Sequence, residues 1–123
     1  MIVSDHIPED EESKRLPFSQ AATGAIGIET LLPLALEMHH NESLPLNKII
    51  ETLTINPAKI LQINKGTLAK GSDGDICVLD LDAPWVVKAE KLKSKSKNTA
   101  IEGRKLQGKI LMTFLNGELV FNQ

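Results

Sequence analysis

The chain has 123 residues, of which 41% are hydrophobic and 24% charged, and its formal net charge is −2. This length and composition are typical of one globular domain of ordinary size. The weak negative charge and the scarcity of aromatic residues argue against nucleic acid as the main partner. No apolar run approaches the roughly 18 residues that a membrane span needs, and the acidic N-terminus is unlike a signal peptide.

The single cysteine, Cys77, cannot form a disulfide within the chain and lies in an apolar run. We expect Cys77 to be a small buried side chain. A lone reduced thiol is typical of a cytoplasmic protein. The sequence therefore predicts a cytoplasmic protein that binds neither nucleic acid nor membrane.

The first half of the chain predicts a loop region followed by helices. Residues 1–26 are mostly loop, with Ile2 and Val3 as the end of a strand, and residues 27–63 have helical periodicity. The first long helix is expected to begin near Leu31, because Pro33 fits only the first turn or a kink. Its apolar residues cover much of the circumference, which predicts a largely buried helix ending at residues 39–41.

Two shorter helices are expected to follow. The second begins around residues 44–46, with Ser43 or Leu44 as its N-cap. The third has Asn56 as its N-cap and Pro57 as its first residue, and it is expected to bury Ile60 and Leu61.

The second half of the chain predicts strands. Residues 75–81 form a near-continuous apolar strand, which we expect to be covered on both faces, and residues 85–87 form a separate extended segment. Asn116 and Gly117 are typical of a type I′ hairpin turn between residues 109–115 and 118–121. The apolar surface of the helices exceeds what so few strands can cover. The pattern therefore favours the end of a larger fold.

Asp5 is the first candidate for chemistry. It follows an apolar pair at the expected C-terminal end of a strand, where barrel enzymes carry catalytic side chains. A carboxylate there could ligate a metal or accept a proton from a bound water. The alternative is an aspartate that only caps a helix or a turn. His6 should point to the opposite face, since neighbours on a strand alternate.

Four other stretches contain side chains or backbone groups that could bind a ligand. The pair His39 and His40 at a helix end favours contact with the last carbonyl groups over a metal site. The acidic run 9–12 favours a solvated loop over a cation site. The lysine-rich residues 88–97 favour an exposed connection over a phosphate or nucleic-acid site. Residues 23–27 could present backbone N–H groups to an anion, but they lack a preceding strand and the full glycine fingerprint.

The stretch SDHIPEDEESKRLPFSQAATGAIGIETLLPLAL resembles the late segment of dihydroorotases, which belong to the metal-dependent amidohydrolase superfamily. Dihydroorotases usually read T/S-D-H-x-P-H, then a lysine, then P-F, then G-x-x-G-L-E-T-x-L-P-L. Residues 54–61, 66–80 and 108–121 resemble later segments of the same family. The positions that match the first pattern are Ser4, Asp5, His6, Pro8, Lys14, Pro17, Phe18 and residues 24–34.

The resemblance implies an α/β fold, namely the C-terminal fragment of a (β/α)8 metallo-dependent hydrolase barrel plus part of a small β-sandwich. Residues 1–63 would form the end of the barrel, with its last strand, substrate loop and terminal helices. Residues 64–123 would form the β-sandwich portion with its C-terminal hairpin.

The resemblance also implies an activity, the reversible hydrolysis of dihydroorotate to N-carbamoyl-aspartate in pyrimidine biosynthesis, with zinc as the cofactor. Asp5 would be a metal ligand and the general acid/base, and Thr23 and Gly24 would contact the pyrimidine ring through their backbone. Glu9 stands where many dihydroorotases have a histidine that holds the substrate carboxylate. A glutamate would repel that carboxylate unless it were protonated or turned away.

The other metal ligands and the substrate-binding Arg and Asn of dihydroorotases have no counterpart in this chain. Because catalytic zinc usually needs three protein ligands, we expect this chain alone to bind no zinc and to be inactive. We also expect it to self-associate or to need a missing N-terminal portion. Two alternatives stay open: a non-catalytic pseudo-dihydroorotase that partners aspartate carbamoyltransferase, and another cyclic amidohydrolase such as an allantoinase or hydantoinase.

Overall fold

The computed structural model describes residues 1–123. Four helices precede three strands. The sequence predicts the three later helices, whereas the first one lies within residues 1–26, which were expected to be mostly loop. The elements are α1 (Glu11–Lys14), α2 (Leu31–His40), α3 (Leu46–Leu53), α4 (Ile55–Ile60), β1 (Ile76–Val86), a 3-10 turn (Ala89–Lys91), β2 (Lys105–Leu115) and β3 (Glu118–Asn122). None of the helices has both the length and the apolar character that crossing a membrane requires.

The three strands form one antiparallel sheet in the order β1-β2-β3. The predicted hairpin is confirmed: Leu115 pairs with Glu118, and both turn residues, Asn116 and Gly117, have positive φ angles of 51° and 82°. This is the geometry of a type I′ turn, whose twist matches that of the flanking strands. The segment 85–87 is not separate as predicted, because β1 runs on to Val86 past an irregular stretch between Asp80 and Pro84.

Helix α2 packs across β2 and supplies the centre of the core. Leu36 is fully buried and lies against Gly108, where an added Cβ atom would stand 2.5 Å from the Leu36 Cδ1 atom. Gly108 also has a φ angle of +102°, so the position requires glycine for two reasons. A neighbouring cluster of buried side chains extends this core; it consists of Ile26, Val87, Leu92 and Leu106.

The prediction that residues 75–81 are covered on both faces is wrong. Ile76 is 41% exposed and Cys77 is exposed, so the expectation of a buried cysteine is wrong as well. The physical reason is the number of layers. Of the helices, only α2 packs closely on the three-stranded sheet, and the other face of β1 has no layer against it.

The helix predictions hold for α2 and fail in detail for the shorter helices. Helix α2 begins at Leu31 and ends at His40 as expected, but its buried residues are only Pro33, Ala35 and Leu36. The N-cap of α3 is Pro45, not Ser43 or Leu44. Helix α4 follows α3 directly with Thr54 as its N-cap, so neither Asn56 nor Pro57 has its predicted role. Pro57 is the third helical residue, where a missing N–H costs nothing.

Much apolar surface stays uncovered in this structure. Ile60 and Leu61, which were expected to be buried, are 62% and 65% exposed, because no element lies over that side of α4. The accessible surface of the chain is 8741 Å², whereas a compact monomer of this mass exposes roughly 6500 Å². The predicted self-association, or completion by a missing portion, stays a prediction.

The N-terminal residues do not form the predicted strand with a neighbour. Ile2 donates its N–H to the Thr52 carbonyl at 3.0 Å, and His6 pairs with Ala25 in a single parallel bridge. A strand needs a partner along its length to complete a ladder, and these two contacts are isolated. They nevertheless fix where Asp5 lies.

Candidate functional site

Asp5 lies at the rim of an open cavity of about 500 Å³ between the N-terminal residues and α2. Its backbone has a φ angle of +45°, in the left-handed region that aspartate adopts more readily than most residues. The side chain is exposed. The remaining wall of the cavity is mainly apolar, and it includes Leu31, Leu34 and Met38 of α2.

His6 is turned into the loop that follows instead of toward this cavity. Its Nδ1 atom accepts a hydrogen bond from the Gly27 N–H at 3.0 Å and a longer one from the Ile28 N–H at 3.4 Å. An imidazole nitrogen that accepts must be unprotonated, so a neutral His6 carries its proton on Nε2. His6 thus joins the start of the chain to residues 27–28, and Asp5 and His6 do not converge on one ligand.

Gly24 lies on the same cavity as Asp5. Its φ angle is +126°, and an added Cβ atom would stand 2.6 Å from the Ile7 Cγ2 atom, so only glycine fits. Its carbonyl oxygen accepts hydrogen bonds from Lys14 Nζ at 3.0 Å and from Asn98 Nδ2 at 3.3 Å. These two side chains come from stretches far apart in the chain.

Of the four predicted site residues, the structure brings Asp5 and Gly24 together and leaves Thr23 and Glu9 off the cavity wall. Thr23 is exposed on the loop just before Gly24. The backbone carbonyl of Glu9 accepts a hydrogen bond from Ser96 Oγ, which ties Glu9 to the C-terminal half of the chain.

The lysine-rich region is more than the exposed connection that the sequence predicts. Residues 92–101, here called the covering segment, pack against the loop that carries Gly24. The Glu29 carboxylate accepts from the N–H groups of Lys93 at 2.7 Å and Ser94 at 3.2 Å. The Ile26 N–H donates to the Asn98 carbonyl at 3.3 Å. Ala100 and Ile101 then complete the wall of the Asp5 cavity.

Sequence reasoning missed Asn98, Ala100 and Ile101 as parts of this site, and it treated Lys14 only as a match in the family pattern. No local signal marks them, because neither composition nor periodicity reveals a contact between residues 74 positions apart. The spacing of Gly24 and Gly27 in the family pattern could have raised the question of which residues hold that loop.

The residues present do not form a metal site by themselves. No group of three His, Cys, Asp or Glu side chains lies close enough together to hold a metal ion. Asp5 is the one such side chain on the cavity wall, whereas catalytic zinc usually takes three protein ligands. His39 and His40, with ring centroids 5.7 Å apart at the end of α2, do not supply the rest of a set.

The Amidohydrolase family model matches residues 1–120 of the chain. The chain belongs to the amidohydrolase family. It is similar to the dihydroorotase of Ehrlichia chaffeensis, with 42% identity over 120 residues, which are 98% of this chain and 27% of that protein. The chain therefore spans about a quarter of the length of this curated relative.

Solved structures agree on the fold. The L-hydantoinase (dihydropyrimidinase) from Arthrobacter aurescens superposes with a TM-score of 0.77 and 34% identity, covering 85% of this chain and 24% of that one. The dihydropyrimidinase from Brevibacillus agri gives a TM-score of 0.90 at 24% identity, covering 96% of this chain and 27% of that one. The sheet and helices described above are thus part of an amidohydrolase fold, in a family that is generally metal-dependent.

Proposed function

We propose that this chain supplies the C-terminal part of a dihydroorotase-like cyclic amidohydrolase, which reversibly hydrolyses dihydroorotate to N-carbamoyl-aspartate. The observation that carries the proposal is the position of Asp5. It occupies the aspartate position of the family pattern that begins at Ser4, and it lies on the same cavity as Gly24. The 42% identity to a dihydroorotase supports this substrate class.

In this proposal, residues 1–63 are the end of a (β/α)8 barrel and residues 64–123 are the β-sandwich portion. The packing of α2 on β2 supports a close contact between the two parts. Gly108 is adapted to Leu36, and Arg104 forms an ion pair with Glu37 at 2.7 Å. The sandwich portion also reaches the site through the covering segment.

Asp5 would be the proton carrier of the reaction. Its carboxylate accepts a proton from the water whose oxygen attacks the amide carbonyl carbon, and then donates it to the ring nitrogen as the C–N bond breaks. Asp5 would also contribute one ligand to a zinc site whose other ligands lie outside these residues. Backbone groups of Thr23 and Gly24 would contact the pyrimidine ring. Glu9, whose side chain is not on the cavity wall, would be turned away from the substrate carboxylate.

A second candidate is a hydantoinase or dihydropyrimidinase activity. It is favoured by the 34% identity to the Arthrobacter aurescens enzyme over 85% of the chain. These activities also open a cyclic amide, so the proposed role of Asp5 is the same. The two candidates differ in the cyclic substrate that the site binds. The relative rates of hydrolysis of dihydroorotate, hydantoin and dihydrouracil distinguish them.

The test is a chimera in which this chain replaces the matching segment of the Ehrlichia chaffeensis dihydroorotase. We expect the chimera to hydrolyse dihydroorotate faster than hydantoin or dihydrouracil. Asp5→Asn should lower kcat by about 10² to 10⁴-fold, the usual contribution of a general acid/base. Asp82→Asn, at an exposed position on β1, is the matched control and should leave kcat unchanged.

Preference for hydantoin would favour the second candidate. A folded chimera that hydrolyses none of the three compounds would contradict both. The 123-residue chain alone should contain no zinc and show no turnover. Turnover by the chain alone would mean that its site is complete and that the ligand assignment is wrong.

A further inference from the structure

We propose that Lys14 and Asn98 are positioning residues, which hold the Gly24 carbonyl group and thereby fix the backbone of residues 22–25 for the substrate. The inference rests on the proposed function in one respect, namely that this backbone contacts substrate. The contacts themselves are independent of it.

Lys14 donates to two carbonyl groups of the site loop. This last residue of α1 donates through its ammonium group to the carbonyl of Ala22 at 2.7 Å and to that of Gly24 at 3.0 Å. A further hydrogen bond, from the Ala22 N–H to the Ser13 carbonyl at 3.1 Å, holds α1 against the same loop.

Asn98 of the covering segment contacts the same loop from the other side of the sequence. Its side-chain amide donates to the Gly24 carbonyl at 3.3 Å, and its own carbonyl accepts from the Ile26 N–H at 3.3 Å. Asn98 thus spans residues 24–26. A carbonyl oxygen has two lone pairs, and at Gly24 one faces a cation and the other an amide. Hydrogen bonds from a charged donor are the stronger kind.

The position of Gly24 connects these contacts with the site. Gly24 lies on the Asp5 cavity and directly against Ile7, and its left-handed backbone is not accessible to most residues. A loop without a regular ladder depends on side chains to keep one conformation. Because a misplacement of about 1 Å can cost about 10² in rate, the two donors are expected to act on substrate binding through the backbone that they hold.

The first test uses NMR on the full 123-residue chain with Lys14→Met, Lys14→Arg and Asn98→Ala. We expect Lys14→Met to shift the Gly24 carbonyl carbon signal and to speed amide exchange at Ile7 and Ile26 by about tenfold. Lys14→Arg keeps the donors and should restore most of the wild-type values. Asn98→Ala should produce a smaller change at the same residues. Lys70→Met, at an exposed lysine, is the matched control.

An unchanged Gly24 carbonyl signal in both Lys14→Met and Asn98→Ala would overturn the proposal. If Lys14→Met fails to fold, as judged by loss of the Gly117 amide signal of the distant hairpin, Asn98→Ala and Lys14→Arg decide the question alone. These measurements need no enzyme activity, so they stand even if the chimera is inactive and the proposed function fails.

The second test measures kcat and KM in the chimera. A positioning role predicts that Lys14→Met raises KM for dihydroorotate about tenfold or more with a smaller effect on kcat, and that Lys14→Arg returns KM toward the wild-type value. An altered Gly24 signal with unchanged KM would overturn the link to substrate while leaving the proposed function intact.

Discussion

The sheet with α2 and the loop around Asp5 are held together by different kinds of interaction. The sheet combines a regular backbone ladder with a buried apolar contact between Leu36 and β2. The site loop has one isolated bridge, between His6 and Ala25, and depends further on single hydrogen bonds from distant stretches and on the burial of Ile26. The sheet is therefore stabilised mainly by packing, whereas the shape of the site depends more on single polar contacts. Variants at those polar contacts should change the site more than they change the packing of α2 on β2.

The largest expected effect is on the packed region. Leu36→Ala removes a fully buried side chain and should lower the free energy of unfolding by about 2–5 kcal/mol, because it leaves a cavity between α2 and β2. Urea denaturation followed by circular dichroism measures this loss. Leu61→Ala is the control, since Leu61 is 65% exposed and should cost much less. Equal losses in the two variants would mean that the core has been assigned to the wrong residues.

The next largest effect is expected for Gly108→Ala. Comparing it with Gly103→Ala separates the cost of tight packing from the cost of backbone strain. Gly108→Ala should cost about 1–3 kcal/mol, because the new methyl group meets Leu36 in a well-packed core and the φ angle is positive. Gly103→Ala has a similar positive φ angle of +75° but open space around it, so it should report the strain alone. The difference between the two variants in urea denaturation isolates the packing. If Gly103→Ala costs as much as Gly108→Ala, the contact with Leu36 contributes nothing.

A smaller effect should appear as a pH dependence at Asp75, which immediately precedes β1. The pKa of Asp75 is held below its usual range, first by the Asn116 N–H that donates at 2.8 Å and then by Lys65 at 2.6 Å. A carboxylate whose folded pKa is depressed adds stability above its unfolded pKa of 3.8, and this stability is lost as the pH falls through the lower folded value. The Asp75→Asn variant should therefore lose less stability than the wild type when the pH is lowered below about 4.

Thermal unfolding between neutral pH and acid measures this difference. Asp82→Asn, which replaces an exposed aspartate on β1, should keep the wild-type acid profile. An identical acid profile for wild type and Asp75→Asn would show that the hairpin contact does not depend on the charge of Asp75.

The smallest effect is expected for the surface ion pair between α2 and the start of β2. Arg104 and Glu37 are partly exposed, at 49% and 30%, and partly exposed pairs contribute about 0.2–1 kcal/mol. A double-mutant cycle with Arg104→Met and Glu37→Gln should give a coupling in this range that falls as salt is raised. A coupling that does not change with salt would contradict a screened surface pair.

Sequence reasoning was most successful where the signal is local. The turn at Asn116 and Gly117 and the start of α2 near Leu31 follow from dihedral preferences that a few residues determine. The predictions that Cys77, Ile60 and Leu61 are buried were wrong. An apolar side chain is buried only if another layer covers it, and a local pattern does not show that layer. The site shows the same division. The motif predicts Asp5 and Gly24 as site residues and the structure places both on one cavity, whereas no local signal marks the donors to the Gly24 carbonyl.

The sequence by itself determined the order of helices and strands, the hairpin, the family to which the chain belongs and the candidate role of Asp5. These depend on local dihedral preferences and on motif residues that can be read in one stretch. Only the tertiary structure decided that α2 covers one face of the sheet, that the His6 Nδ1 atom accepts from the Gly27 N–H, and that Lys14 and Asn98 meet at Gly24. The physical reason is that these contacts join residues far apart in the chain, and their energies depend on distances that exist only after the chain has folded.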